Sequence, residues 1–260
     1  MKLIDKYLKI ITTHLLLVFL IPFNALAVTW NSTTAGDWNI GGNWNLNSVP
    51  SLGFNAGNVA NVRNNMTYSG TLQIGVNGTV NVKSGATLTI TNNLYLNNTG
   101  RIVIENGGKV IVQGSVTGPS GNVGSASNLQ VNTGGTIQVT GNINIARSSL
   151  IYNWNGNVCV SGNINIVGNT VVNVNGGNVA IGGTLRMSSN GRMQGNSGTV
   201  TYNATNIFSC GFSYLTCSGT NKGNGGCGAP LPPAGGINLA TCNAATGAGC
   251  GGSRRVIIID

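Results

Sequence analysis

The sequence predicts an all-β chain wound into a right-handed parallel β-helix, a solenoid with rungs of about 21 residues. Three observations carry this. A pattern of the form G-G-x-V-x-V-x-G-x-I-x-I recurs as GGTIQVTGNINI at 134, NGNVCVSGNINI at 155 and GGNVAIGGTLRM at 176, an offset of 21 residues both times. Within each copy the apolar residues alternate with period two, the sign of strands with one buried and one exposed face. The composition suits short strands and many turns: 41 Gly and 40 Asn, but only 7% charged residues, against roughly 25% in ordinary domains.

The same composition excludes other classes. There is too little charge for charge-driven disorder. Six Pro and no glycine triplet exclude collagen. Gly and Asn are poor helix formers.

Residues 1–27 read as a secretory signal peptide. Lys2, Lys6 and Lys9 precede the apolar run Leu15–Leu20, and Ala25-Leu26-Ala27 offers small residues to a signal peptidase. The run is too short to span a membrane, and no other segment is apolar enough, so no span is expected in the mature chain. Export to the extracellular space, the cell surface or the periplasm follows. Without its leader the chain has ten basic and three acidic residues, net +7. The basic residues are scattered singly apart from Arg254-Arg255, which speaks against nucleic acid as a partner.

Residues 28–56 read as an N-terminal cap. A solenoid exposes its core at each end and needs closing. Trp30, Trp38 and Trp44 cluster here, outside the repeat. They suit capping better than the alternative, stacking on sugars.

Residues 57–203 read as the solenoid proper, roughly seven rungs. In register, Ile137, Val158 and Val179 form one column and Val139, Val160 and Ile181 the next. Ile143, Ile164 and Leu185 follow, then Ile145, Ile166 and Met187. A related copy, GGKVIVQGSVTG, starts at 107, and NGTVNVKSGATLTI at 77 has the same form with one extra residue. Three short strands and three turns fill each rung. Stacked aliphatic columns bury what no single rung can, and the usual hand of parallel crossovers gives the right-handed winding. The outward columns hold Gln138, Cys159 and Ala180, then Asn142, Asn163 and Thr184, then Asn144, Asn165 and Arg186. Stacked Asn side chains can bond amide to amide. An antiparallel sandwich also uses short alternating strands, but offers no reason for the same residues to recur in register.

Residues 204–260 form a Gly- and Cys-rich tail ending SRRVIIID, which reads like an interrupted strand. Cys210, Cys217, Cys227, Cys242 and Cys250 match no zinc spacing, and in an exported chain disulfides are the default. The sixth cysteine, Cys159, lies between inward Val158 and Val160, so its thiol points outward. A bridge from Cys159 to one tail cysteine would pair all six.

Catalysis is not expected. Without His14, removed with the leader, no histidine remains, and the internal carboxylates are Asp37 and Glu105 alone. Glycoside hydrolysis needs two carboxyls about 5–10 Å apart, and these lie in the cap and midway along the solenoid. No catalytic, metal or cofactor residue is assigned, and no cofactor is expected. Ice binding would want regular Thr columns, and only Thr87, Thr89 and Thr91 make such a row. Carbohydrate contact by Trp30, Trp38, Trp44, Asn142, Asn144, Asn163 and Asn165 is the alternative binding expectation.

The opening Trp30-x(7)-Trp38-x(5)-Trp44 with Val49-Pro50, leading into Gly/Asn-rich strands, resembles secreted β-helix surface proteins of Gram-negative bacteria, the autotransporter-like and filamentous haemagglutinin-like adhesins. The resemblance covers residues 28 to about 203. It implies a structural and adhesive role at the cell surface, without catalysis, and glycans or host and matrix surface proteins as partners. The C-terminus departs from the type, with no barrel-forming translocator and no sorting motif.

Overall fold

The computed structural model describes residues 27–51, 57–97, 99–118, 128–146, 151–188, 191–208, 214–217, 220–221 and 255–259. They form an all-β parallel solenoid with rungs of about 22 residues. Two short strands, β1 (Thr29–Asn31) and β2 (Gly36–Asp37), start the stack. The first full rung is β3 (Val59–Val62), β4 (Met66–Tyr68) and β5 (Leu72–Ile74). The second is β6 (Thr79–Val82), β7 (Thr87–Ile90) and β8 (Leu94–Leu96). The third is β9 (Arg101–Ile104), β10 (Lys109–Val112) and β11 (Val116–Thr117). The fourth is β12 (Asn128–Val131), β13 (Thr136–Val139) and β14 (Ile143–Ala146). The fifth is β15 (Ile151–Trp154), β16 (Asn157–Val160) and β17 (Ile164–Val167). The stack continues through β18 (Val171–Ser188) and β19 (Arg192–Phe208).

Successive rungs pair in parallel, in register, on three faces. Face A runs β1–β3–β6–β9–β12–β15–β18. Face B runs β2–β4–β7–β10–β13–β16–β18. Face C runs β5–β8–β11–β14–β17–β18. The columns read from the 21-residue offset are the ones that pair: Ile137 lies beside Val158 and Val158 beside Val179, while Ile143 lies beside Ile164 and Ile164 beside Leu185. All six are buried in one continuous core. Burying an aliphatic side chain contributes about 1.5–3 kcal/mol, so stability grows with each rung added.

Two local registers differ from the sequence reading. The copy at 77 does not belong to the column of the copy at 107. Thr79–Val82 pairs with Arg101–Ile104 on face A, and Lys109–Val112 pairs instead with Thr87–Ile90. The confusion has a backbone cause: Asn77 takes φ 60°, mimicking the left-handed glycine that opens the other corners, such as Gly107 and Gly134. The second difference is β18, where three strands and their turns were expected. It runs unbroken for 18 residues, because the corners stack residue on residue and survive only as register shifts near Asn175 and between Ile181 and Thr184.

The paired glycines at the corner between faces A and B have separate reasons. The first, as in Gly107 and Gly134, has φ 74° and 79°. The second, Gly108 or Gly135, leaves no room: a Cβ there would fall within 3.0 Å of the carbonyl oxygens of Val82 or Ile104 in the rung before.

Both ends depart from parallel pairing. The segment 43–45 turns back antiparallel against β1, with Ser32 bridging Trp44 and Asn45 N–H donating to the Asn31 carbonyl at 3.0 Å. At the far end β19 carries β20 (Tyr214–Cys217) in parallel, β20 carries β21 (Thr220–Asn221) antiparallel, and β22 (Arg255–Ile259) lies antiparallel on Gly198–Tyr202. The terminal VIII run thus forms a strand that closes the edge of face B. An antiparallel strand interrupts the template that an open parallel edge would offer.

Candidate functional surface

The outward positions of the three faces differ in chemistry, and the difference comes from what each rung places between its inward residues. On face A the outward column is largely amide, and it bonds to itself. Asn61 Nδ2 donates to Asn31 Oδ1 and Asn81 Nδ2 to Asn61 Oδ1, each at 2.9 Å. Asn173 Nδ2 donates to Asn153 Oδ1 at 3.3 Å. Val103 interrupts this ladder, and Arg101 reaches along it to Gln130 Oε1 at 2.6 Å.

On face B the outward column runs Asp37, Thr67, Thr89, Ile111, Gln138, Cys159 and Ala180. It begins polar and turns apolar. Thr87 and Thr89 lie on this face, but Lys109 and Ile111 follow them in register, so no regular threonine surface forms. Cys159 occupies an outward position, as expected, yet is only 3% exposed. Of the tail cysteines that the sequence offers as its partners, Cys210, Cys227, Cys242 and Cys250 lie outside the described residues and Cys217 falls in β20. The leader up to residue 26 also lies outside the described residues.

On face C the outward column is Gln73, Tyr95, Thr117, Asn144, Asn165 and Arg186. Every member is polar or carries a polar group, and none is a carboxylate. Asn165 Nδ2 donates to Asn144 Oδ1 at 2.6 Å. Tyr95 is 36% exposed, the one exposed aromatic ring among the residues whose side chains are described. Its place between Leu94 and Leu96, both inward, is the sequence signal that turns it out.

The corner leading into face C holds the other two asparagines. Asn142 Oδ1 accepts the backbone N–H of Asn163 at 2.7 Å, and Asn163 Oδ1 accepts that of Thr184 at 2.8 Å. Asn142, Asn144, Asn163 and Asn165 are all half-buried. They are engaged with their neighbours in the stack rather than standing clear of the surface.

The tryptophans sit elsewhere. Trp30, Trp38 and Trp44 are 6%, 1% and 1% exposed. Trp38 meets Trp44 edge-on with ring centroids 4.7 Å apart, and Tyr68 at 5.9 Å. Trp44 Nε1 donates to the Trp38 carbonyl at 2.8 Å and Trp30 Nε1 to Ser48 Oγ at 3.1 Å. With the rings buried and the indole N–H groups of Trp30 and Trp44 bonded, no tryptophan face is turned to a sugar. Their surroundings are those of a plug at the end of the core.

Asp37 and Glu105 are separated by two rungs. Asp37 Oδ1 accepts the N–H of Asn39 at 2.8 Å, a local turn bond. Glu105 Oε1 pairs with Lys83 Nζ at 2.5 Å, both side chains about one-third exposed. Among the described residues no helix is long and apolar enough to cross a membrane, and no three His, Cys, Asp or Glu side chains cluster. Comparison with known protein families, with curated proteins and with solved structures finds no match to this chain.

Proposed function

We propose that this chain is an exported structural and adhesin-like module of the cell surface or extracellular space, without catalytic activity. The observation that carries the reading is the regular outer surface: in-register columns on two of the three faces in which uncharged polar side chains predominate, set on an aliphatic core, with the two internal carboxylates held in separate local bonds. Such a surface is built for length and repeated weak contact rather than for concentrating reactive groups at one point. The leader read over residues 1–27 supports export, and the scattered positive charge gives no track for nucleic acid. Its partners on this reading are glycans or the surface proteins of a host or matrix.

The test is to express the full chain in a Gram-negative host. Fractionation with N-terminal sequencing should find a product beginning at Val28 outside the cytoplasm. The purified product should attach to matrix- or cell-coated surfaces and release no reducing ends or unsaturated products from a polysaccharide panel. A cytoplasmic chain with an intact leader, or turnover lost in Glu105→Gln, would contradict the reading.

A further inference from the structure

We infer that face C binds an extended acidic polysaccharide, with Tyr95 as the stacking platform and Arg186 as the anchor for its carboxylate. This rests on reading the outer flanks as the working surface, and it selects one flank of three. Face A presents no exposed aromatic ring among the described residues. Face B turns apolar and buries Cys159. Face C alone combines an exposed ring, a run of hydrogen-bonding groups and an exposed cation in one register.

The chemistry of the column matches a sugar chain. A pyranose presents an apolar C–H face, which an aromatic ring covers, and a rim of hydroxyls, which amides and hydroxyls satisfy. Parallel strands repeat every ~4.8 Å, close to the advance of one pyranose in an extended chain. From Tyr95 to Arg186 is four rung steps, roughly 19 Å at that spacing, so one oligosaccharide of four or five sugars spans it. The Asn165–Asn144 bond fixes both amides, and beyond it the pair retains the two N–H groups of Asn144, the second N–H of Asn165 and the oxygen of Asn165. A hydroxyl, which both donates and accepts, fits that pair. The charge argues for an acidic chain: Arg186 is exposed, and the carboxylates Asp37 and Glu105 lie on face B and at the A–B corner. Among the described residues no carboxylate lies in the face C column.

The experiment titrates hexagalacturonate, and the same oligomer fully methyl-esterified, into the exported chain by calorimetry. The acid should bind and the ester bind less well. Tyr95→Ala should lower the association constant for both about tenfold, the factor worth 1.4 kcal/mol, while Tyr95→Phe keeps it. Arg186→Gln should abolish the preference for the acid. Lys109→Gln, on face B, should change nothing, and equal melting temperatures across the variants exclude unfolding. No binding of either oligomer, or equal losses in Lys109→Gln and Arg186→Gln, would overturn the inference. A chain that attaches to surfaces yet binds neither oligomer defeats this inference alone, whereas a chain retained in the cytoplasm defeats the surface reading.

Discussion

The side-chain oxygen of Asn142 lies 2.7 Å from the backbone nitrogen of Asn163, one rung further along the stack, and accepts its proton. The bond belongs to a series. Asn93 Oδ1 accepts from Ser115 N–H at 2.8 Å, Ser115 Oγ from Asn142 N–H at 3.0 Å, and Asn163 Oδ1 from Thr184 N–H at 2.8 Å. Each rung thereby supplies the acceptor for a corner amide of the next. A buried amide left unpaired would cost about 1–3 kcal/mol, so the series holds the corner together where the strand ladder is interrupted.

Asn163→Ala removes that acceptor from Thr184 and should destabilise the chain by about 1 kcal/mol, read as a lower denaturant midpoint. Asn163→Asp keeps an oxygen in place and should cost less. Equal losses would mean that the amide NH₂ group, not the oxygen, carries the contribution of Asn163.

Glycine precedes Ser115, Asn142, Asn163 and Thr184 in this series because nothing larger fits there. A Cβ on Gly162 would lie within 3.0 Å of Asn142 Oδ1 and of the Gly141 carbonyl, and Gly141 and Gly183 are confined in the same way. Gly162→Ala should therefore cost about 1–3 kcal/mol through overcrowding. Gly42→Ala is the control, since a Cβ there meets nothing within 4 Å, and its melting temperature should match the parent. A neutral Gly162→Ala would show that the corner can open without penalty.

The inward columns were legible because burial demands the same residue class at every turn of a solenoid. Val139, Val160 and Ile181 carry that demand as plain repetition. The partners of the asparagines were legible only in part: the amide-to-amide bond between Asn165 and Asn144 follows from the column, while the backbone bond of Asn163 does not. Asn163 and Asn165 differ by two positions and look alike in sequence. Yet Asn165, within a strand, bonds Asn144 amide to amide, whereas Asn163, at a corner, bonds a backbone N–H. Residue type suits both, and only the local direction of the chain separates them. Trp30, Trp38 and Trp44 stood out as lying outside the repeat. The antiparallel return of 43–45 onto β1 did not, since it depends on the turn that Asp37 and Asn39 make together. On the candidate surface, the alternation of Leu94, Tyr95 and Leu96 carries the signal for an outward ring, although Tyr95 is not among the contact residues expected from the sequence, and its alignment with Arg186 depends on the summed length of four rungs.

Val160 is fully buried between Val139 and Ile181. Val160→Asp would place a charge in the aliphatic core with no partner and should cost several kcal/mol, enough to abolish the cooperative melt. Ile111→Asp changes an outward position of the same face and should be far milder. Similar losses for the two would contradict the facing assigned to face B.

Trp44 plugs the end of the core, packed against Trp38 and bonded to its carbonyl. Trp44→Ala should cost about 3–5 kcal/mol and remove much of the near-ultraviolet circular dichroism that two edge-on indoles produce. Retained stability would mean that the cap does not seal the core.

The in-register parallel stack is tested most directly by the couplings that nuclear magnetic resonance detects across hydrogen bonds. On face C the N–H of Leu94 donates to the Ser115 carbonyl, that of Val116 to Asn142 and that of Ile143 to Asn163, at 2.9, 2.8 and 2.9 Å. The expected result is a coupling from each of these amide nitrogens to the carbonyl carbon one rung further along, in one direction only. Reciprocal couplings, in which two residues exchange both N–H···O bonds, are the mark of antiparallel pairs. Finding them at Ile143 or Val116 would contradict the solenoid and return the chain to a sandwich.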